Sequence, residues 1–242
     1  MVRRGKRAAF MADAFVFPGG RVDDDDASVA FAAVREAFEE AGVLLAVSSD
    51  GASALTDASD WAISERRALV AKQTRFAEIL ARRALTVDPS LVRFARWVTP
   101  SSEPRRYDTH FFLGRMPAGQ TPLADDLEVS EHRWGTARAL LEAGERGDIK
   151  LPPPTFWHLR DLANAALTSV EQALAWGRAQ PDVTIRPKLI PIDATVAVVL
   201  PWDPEFPSLP GEGEVLAHPP GDITRFLLDD GRWRPIVQTH KE

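Results

Sequence analysis

The feature that most constrains this chain is a compact unit near its start, where an apolar run meets a Gly-Gly turn, an acidic loop and an amphipathic helix. Ala14–Phe17 is strand-length and is stopped by Pro18-Gly19-Gly20, which predicts a strand entering a sharp turn. Asp23–Asp26 then leads into a helix with Asp26 or Ser28 as its N-cap, and Gly42 ends that helix. At 100° per residue, Glu36, Glu39 and Glu40 share an arc of about 100°. Ala30, Phe31, Val34, Ala37, Phe38 and Ala41 fill the opposite side. Arg35 is placed to pair with Glu39 at i,i+4.

Charge concentrates in the same stretch. Asp23 to Glu40 carries Asp23, Asp24, Asp25, Asp26, Glu36, Glu39 and Glu40 against the single base Arg35, a formal −6 that equals the net charge of the whole 242-residue chain. A charge run of this kind is most often a solvated helix face. Three carboxylates on one face also repel one another. Hard divalent cations bound through carboxylates, waters and substrate phosphates would relieve that repulsion.

Composition removes several alternatives. The acidic balance and a pI near 5.5 argue against a nucleic-acid binder, which needs a basic face. No apolar run reaches the ~18 residues of a membrane-spanning helix, and the start MVRRGKRAAF is not a secretory signal. Zero cysteines exclude disulfides and a catalytic thiol and fit a reducing cytoplasm, so a cytoplasmic location is expected. The five histidines have no metal-ligand spacing, and GxSxG is absent.

From Gly20 onward the residues resemble the signature of the Nudix hydrolase family, G-x5-E-x7-R-E-U-x-E-E-x-G-U, with U a bulky apolar residue. Here REAFEEAGV fits the second half, with Ala37 as a small apolar residue. In the first half Asp26 stands where Glu is expected, and one extra residue separates it from Arg35. The segments FVFPGGRVD, RWVTPSSEPRRYDTHFF, EVSEHRW and LPPPTFWHLRDL extend the likeness to the branch that includes peroxisomal coenzyme A diphosphatases and bacterial relatives.

The resemblance implies an α/β fold: a Nudix α/β/α sandwich with a mixed sheet in residues 1–167, a helical insertion at about 60–88, and a C-terminal helix and β-containing extension in 168–242. It implies hydrolysis of a diphosphate linkage in a nucleoside diphosphate derivative, using Mg²⁺ or Mn²⁺. Coenzyme A or an acyl-CoA is the first choice of substrate. ADP-ribose or a nucleoside diphosphate sugar is the alternative, and a catalytically silent nucleotide-binding module is the rival from another class. Carried over by position, Glu36, Glu39 and Glu40 would ligate metal with a carbonyl oxygen from Gly19 or Gly20, while Arg35, Gly20 and Gly42 support the site. The general base would be Glu36 or a later loop residue, Glu128 or Glu131, with Glu128 favoured and Glu36 kept as ligand. Arg105 and Arg106 precede a strand and either clamp phosphates or are ordinary loop residues. Tyr107, the only tyrosine, either stacks on adenine or sits at an edge or in the core.

Further along, Ser64–Leu85 is expected as one amphipathic helix packing through Leu69, Phe76, Ile79 and Leu80. Strands are expected at Phe94–Thr99, Thr109–Leu113 and Ser130–Trp134, with Trp97 and Trp134 in the core. Helices are expected at Thr136 to about Ala143, Phe156–Leu167 and Val170–Arg178. Thirteen of the 19 prolines lie beyond residue 150, where IRPKLI, ATVAVVLPW and ITRFLLDDGRWRPI read as strands, the last a hairpin turning at Asp229-Asp230-Gly231. Relatives of this kind carry a strand before the Gly-Gly turn strand. The chain begins inside that segment, which predicts a gap in the sheet, from a truncated or misassigned start, or else a strand borrowed from the tail or from a partner copy in a homodimer.

Overall fold

Ser28 starts the acidic helix because its Oγ accepts the Phe31 N–H at 3.1 Å, and Gly42 ends it in the left-handed conformation at φ 67°. The computed structural model describes residues 1–5, 12–52, 60–122, 129–217 and 222–238. Along them run β1 (Val2–Arg4), β2 (Phe15–Val16), α1 (Val29–Ala41), β3 (Ala46–Ser48), α2 (Asp60–Val70), α3 (Phe76–Arg82) and β4 (Leu85–Val87). Then follow β5 (Val92–Val98), β6 (Asp108–Leu113), β7 (Val129–His132), α4 (Ala137–Arg146), α5 (Pro153–Asn164) and α6 (Val170–Arg178). The tail holds β8 (Thr184–Ile185), β9 (Lys188–Ile192), β10 (Thr195–Val199), β11 (Arg225–Asp229) and β12 (Arg232–Ile236). Helices with both antiparallel and parallel strand pairs make this the expected α/β class. None of the described helices is long and apolar enough to cross a membrane.

The chain divides into two compact units. The first, residues 1–93, 112–135 and 167–179, holds α1 and a three-stranded sheet ordered β2-β1-β7. The expected gap in this sheet is overturned, because Val2–Arg4 supplies the missing strand. Val2 lies opposite Val16 on one side and His132 on the other, both antiparallel, so β1 spends its backbone groups on two neighbours. The apolar face of α1 buries Val34 and Phe38 with Leu69, Phe76, Ile79 and Leu80. Phe76 meets Phe31 edge-on at 5.1 Å between ring centroids. Fully burying a side chain such as Phe38 favours this packing by about 1.5–3 kcal/mol.

The single helix expected over Ser64–Leu85 is instead α2 and α3, followed by β4. Lys72 adopts φ 55°, which a continuing helix does not allow. Glu78 then accepts hydrogen bonds from the Arg75 N–H at 3.2 Å and the Thr74 hydroxyl at 3.0 Å, capping a new start. The four named residues still bury together in one cluster.

The second unit holds residues 94–111, 136–166 and 180–242. There β5 pairs parallel with β8, Arg96 opposite Thr184 and Trp97 opposite Ile185. The tail sheet is ordered β12-β11-β10-β9 around Val199, Phe206 and Phe226, each fully buried. Its last hairpin pairs Asp229 with Arg232 across Asp230 and Gly231, both at positive φ as a two-residue turn requires. A buried ion pair ties this unit together, Arg225 Nε donating to Asp203 Oδ2 at 2.8 Å. Trp97 is buried as expected, but Trp134, in the first unit, is 61% exposed and is not a core residue.

Candidate active site

The site is built on α1 and the turn that faces it. A turn at Asp23–Asp26, closed by the Asp26 N–H to the Asp23 carbonyl at 3.0 Å, folds the loop back toward the helix. That brings the Asp26 carboxylate against Arg35, whose Nε and Nη2 donate to its two oxygens at 3.0 and 2.9 Å. The Asp26 and Arg35 side chains are 2% and 7% exposed, so the departure from the family spacing lands in a buried ion pair. Arg35 spends its remaining donors on the Arg21 carbonyl at 2.7 Å, Glu36 Oε1 at 2.9 Å and Glu39 Oε2 at 3.0 Å. Its expected pairing with Glu39 is therefore one branch of a larger hub.

Charge is unbalanced around that hub. Asp23, Asp26, Glu36 and Glu39 all lie within 4.0 Å of the one guanidinium, leaving a formal excess of three negative charges. Burial lowers the Arg35 pKa, but the Asp26 hydrogen bond and the charges of Glu36 and Glu39 outweigh it, so the group is held firmly protonated. Burial pushes Glu36 up to about 7 despite the neighbouring Arg35, and it raises Glu39 in the same direction.

The Gly-Gly turn meets this cluster from the other side. The Gly19 N–H donates to Glu40 Oε2 at 2.9 Å, which ties the turn to α1. A Cβ at Gly20 would lie 2.3 Å from Glu36 Oε1, so glycine is needed there for close approach rather than for an unusual φ. At the far end of α1, the Glu39 carbonyl accepts from Arg66 Nε at 2.9 Å. Arg66 comes from α2, inside the insertion. No motif in the sequence marks it, because its target is a backbone oxygen rather than a side chain.

Arg35 thus meets Glu36 and Glu39, and the Gly19-Gly20 turn meets Glu36 and Glu40, while Gly42 ends α1 as its C-cap. Arg105 and Arg106 are exposed in the loop between β5 and β6, in the second unit. Tyr107 follows them at 39% exposure, and Thr99 N–H donates to its carbonyl at 3.0 Å. Glu128 lies outside the described residues. Glu131, on β7, lies 3.4 Å from Arg3 and 3.8 Å from Arg133.

The donor set has the chemistry of a divalent cation site. It is made of hard carboxylate oxygens in negative excess, and among the described residues Glu36 Oε2 and Glu39 Oε1 accept no hydrogen bond. It is not preassembled: among the described residues no group of three or more His, Cys, Asp or Glu is arranged around a common point for a metal. Residues that hold a cation here would be Glu36, Glu39 and Glu40, with Arg35 fixing one oxygen of each of the first two.

Comparisons with known proteins bear on this geometry. The family model of the NUDT19 Nudix domain matches residues 29–162. The putative nudix hydrolase 7 of Caenorhabditis elegans is 34% identical over 169 residues, covering 67% of this chain and 55% of that protein. The human acyl-coenzyme A diphosphatase NUDT19 is 32% identical over 165 residues, 64% of this chain and 44% of that protein. The chain therefore spans about half the length of these two relatives. A crystal structure of a NUDIX hydrolase from Alicyclobacillus acidocaldarius superposes with a TM-score of 0.60 at 28% identity, covering 72% of this chain and 86% of that one.

Proposed function

This chain belongs to the Nudix hydrolase family, and on that premise we propose that it hydrolyses the diphosphate linkage of a nucleotide-derived small molecule, with coenzyme A or an acyl-CoA as the leading substrate. Water would add to one phosphorus of the anhydride and the bridging P–O bond would break, giving 3′,5′-ADP and a phosphopantetheine or acyl-phosphopantetheine product. The observation that carries the reading is the hub of Arg35, Asp26, Glu36 and Glu39 facing the Gly19-Gly20 turn. The name of the human relative supports the choice of acyl-CoA, and ADP-ribose or a nucleoside diphosphate sugar is the competing substrate of the same chemistry. The span of the family model supports reading residues 1–167 as the catalytic domain and 168–242 as an extension.

In this mechanism the chain's own residues do the positioning, which supplies much of the acceleration when a phosphoryl group is displaced. Arg35 holds one oxygen each of Glu36 and Glu39, and the other oxygen of each accepts no hydrogen bond among the described residues. Glu40 fixes the Gly19 N–H, so the turn keeps its distance from the helix. Mg²⁺ or Mn²⁺ on Glu36, Glu39 and Glu40 would neutralise phosphate oxygens and lower the pKa of a bound water. Glu128 is retained as the residue that takes the proton from the attacking water. Arg105 and Arg106 are retained as phosphate-binding candidates.

A second reading has one observation in its favour. The commitment of one oxygen each of Glu36 and Glu39 to Arg35 also suits a nucleotide-binding module that does no chemistry. Incubating the full chain with Mg²⁺ or Mn²⁺ and a panel of CoA, acyl-CoA, ADP-ribose and nucleoside diphosphate sugars, read by mass, separates the two. Products from CoA derivatives are expected. No cleavage of any compound favours the binding module.

A further inference from the structure

Trp134 is an indole left in the open. It is 61% exposed, whereas Trp97 and Trp157 are 4% and 3% exposed. Large aromatic side chains dominate cores and interfaces because they bury so much apolar area, and one exposed ring gains meaning only from what lies beside it. Its place in the first unit adds a second observation. In the sheet β2-β1-β7, Val2 stands opposite both Val16 and His132. The chain therefore leaves β2 into Phe17–Gly20 and leaves β7 into Arg133–Trp134 at the same end of the sheet. The pairing continues one residue past β7, with the Arg133 N–H donating to the Met1 carbonyl at 2.8 Å, which fixes where Trp134 begins. The exits of β2 and β7 are two strand spacings apart, about 10 Å.

One exit carries the turn that meets Glu36 and Glu40, and the other carries an unburied aromatic ring. The adjoining Arg133 guanidinium is occupied, lying 5.2 Å from the centroid of the Phe15 ring and 3.8 Å from Glu131. The spacing of the two exits is on the order of the reach of a nucleotide from its phosphates, through ribose, to its base. We propose that Trp134 is the stacking platform for the base of the nucleotide substrate, so that the ring binds the purine while the α1 glutamates face the diphosphate. This rests on the diphosphate-hydrolase reading for its location. It adds a specificity residue: the indole selects substrates with an aromatic base and is indifferent to the group on the far side of the diphosphate.

Calorimetric titration of the full chain with ADP tests stacking without turnover. Trp134→Ala is expected to weaken ADP binding on the order of 10-fold, the value of one base stacked on an aromatic ring, while Trp134→Phe stays within about threefold of wild type. In steady state with CoA, Trp134→Ala is expected to raise KM by a similar factor with kcat little altered, and the loss is absent for a dialkyl diphosphate that has no base. Unchanged ADP affinity in Trp134→Ala overturns the proposal, as does an equal loss for the base-free diphosphate. Size-exclusion chromatography that finds a dimer lost in Trp134→Ala, with ADP affinity intact, assigns the ring to an interface between copies and also overturns it. If wild type cleaves no diphosphate, the catalytic reading fails, yet the ADP titration still decides the stacking.

Discussion

Asp26 is one methylene shorter than the glutamate its family places there, and one extra residue lies between it and Arg35. The Asp23–Asp26 turn carries the shorter carboxylate to the guanidinium, where both its oxygens are used. Removing one partner of a buried pair leaves the other uncompensated, at a typical cost of 3–5 kcal/mol, but Arg35 keeps Glu36 and Glu39. Asp26→Asn is therefore expected to destabilise the chain by about 2 kcal/mol, read as a lower urea midpoint at unchanged slope. An unchanged midpoint would show that the hub does not need Asp26. Gly20 gives a complementary prediction. A methyl there must displace the Glu36 carboxylate, the far end of a side chain, so the fold tolerates it while the site does not. Gly20→Ala is expected to cut kcat by about 100-fold, as an ångström-scale misplacement does, with Tm nearly unchanged. Equal losses of kcat and Tm would contradict this.

Among the elements, α5 makes a testable statement about pH. His158 is fully buried against the rings of Phe94, Phe111 and Trp97, and neither ring nitrogen has a hydrogen-bond partner among the described residues. Burial pulls its pKa down to about 3, so the folded chain keeps it neutral where the unfolded chain, titrating near 6.5, takes up a proton. Its effect on stability is absent above about pH 6.5 and becomes increasingly unfavourable as pH falls from there toward 3. Asp161 and Glu36, both raised by burial, act in the opposite sense, so the comparison must be made against His158→Phe. Between pH 7.5 and 5, wild type is expected to lose about 2 kcal/mol relative to that variant in urea unfolding. Parallel pH profiles would mean His158 is protonated or solvated in the fold. Elements were also where the sequence was most legible. Periodicity and caps located α1, the helix expected at Val170–Arg178 is α6, and Asp229-Asp230-Gly231 located the last hairpin. The break between α2 and α3 was hidden because Lys72 and Arg75 look like ordinary helix residues, and the apolar spacing runs on across them. The three-residue strand β1 carries no alternation long enough to read.

At the scale of the whole chain, the −6 charge of the sequence is concentrated where α1, the acidic loop and the Gly-Gly turn converge. Most of the site was legible because it sits within about 20 residues of continuous sequence, where helical geometry alone aligns Glu36, Glu39 and Glu40. The parts that were not legible depend on long-range contacts: Arg66 reaching a carbonyl from the insertion, and Trp134 brought out by strand pairing with β1. Membership of the Nudix family and the α1 hub both point to hydrolysis of a diphosphate by the α1 glutamates. Its most direct test is release of 3′,5′-ADP from CoA at saturating Mg²⁺ by wild type and by Glu40→Gln, quantified by mass. Steady release is expected from wild type and release about 100-fold slower from the variant, a loss that removing even a supporting partner of a metal ligand can cause. Wild-type turnover by Glu40→Gln would contradict it.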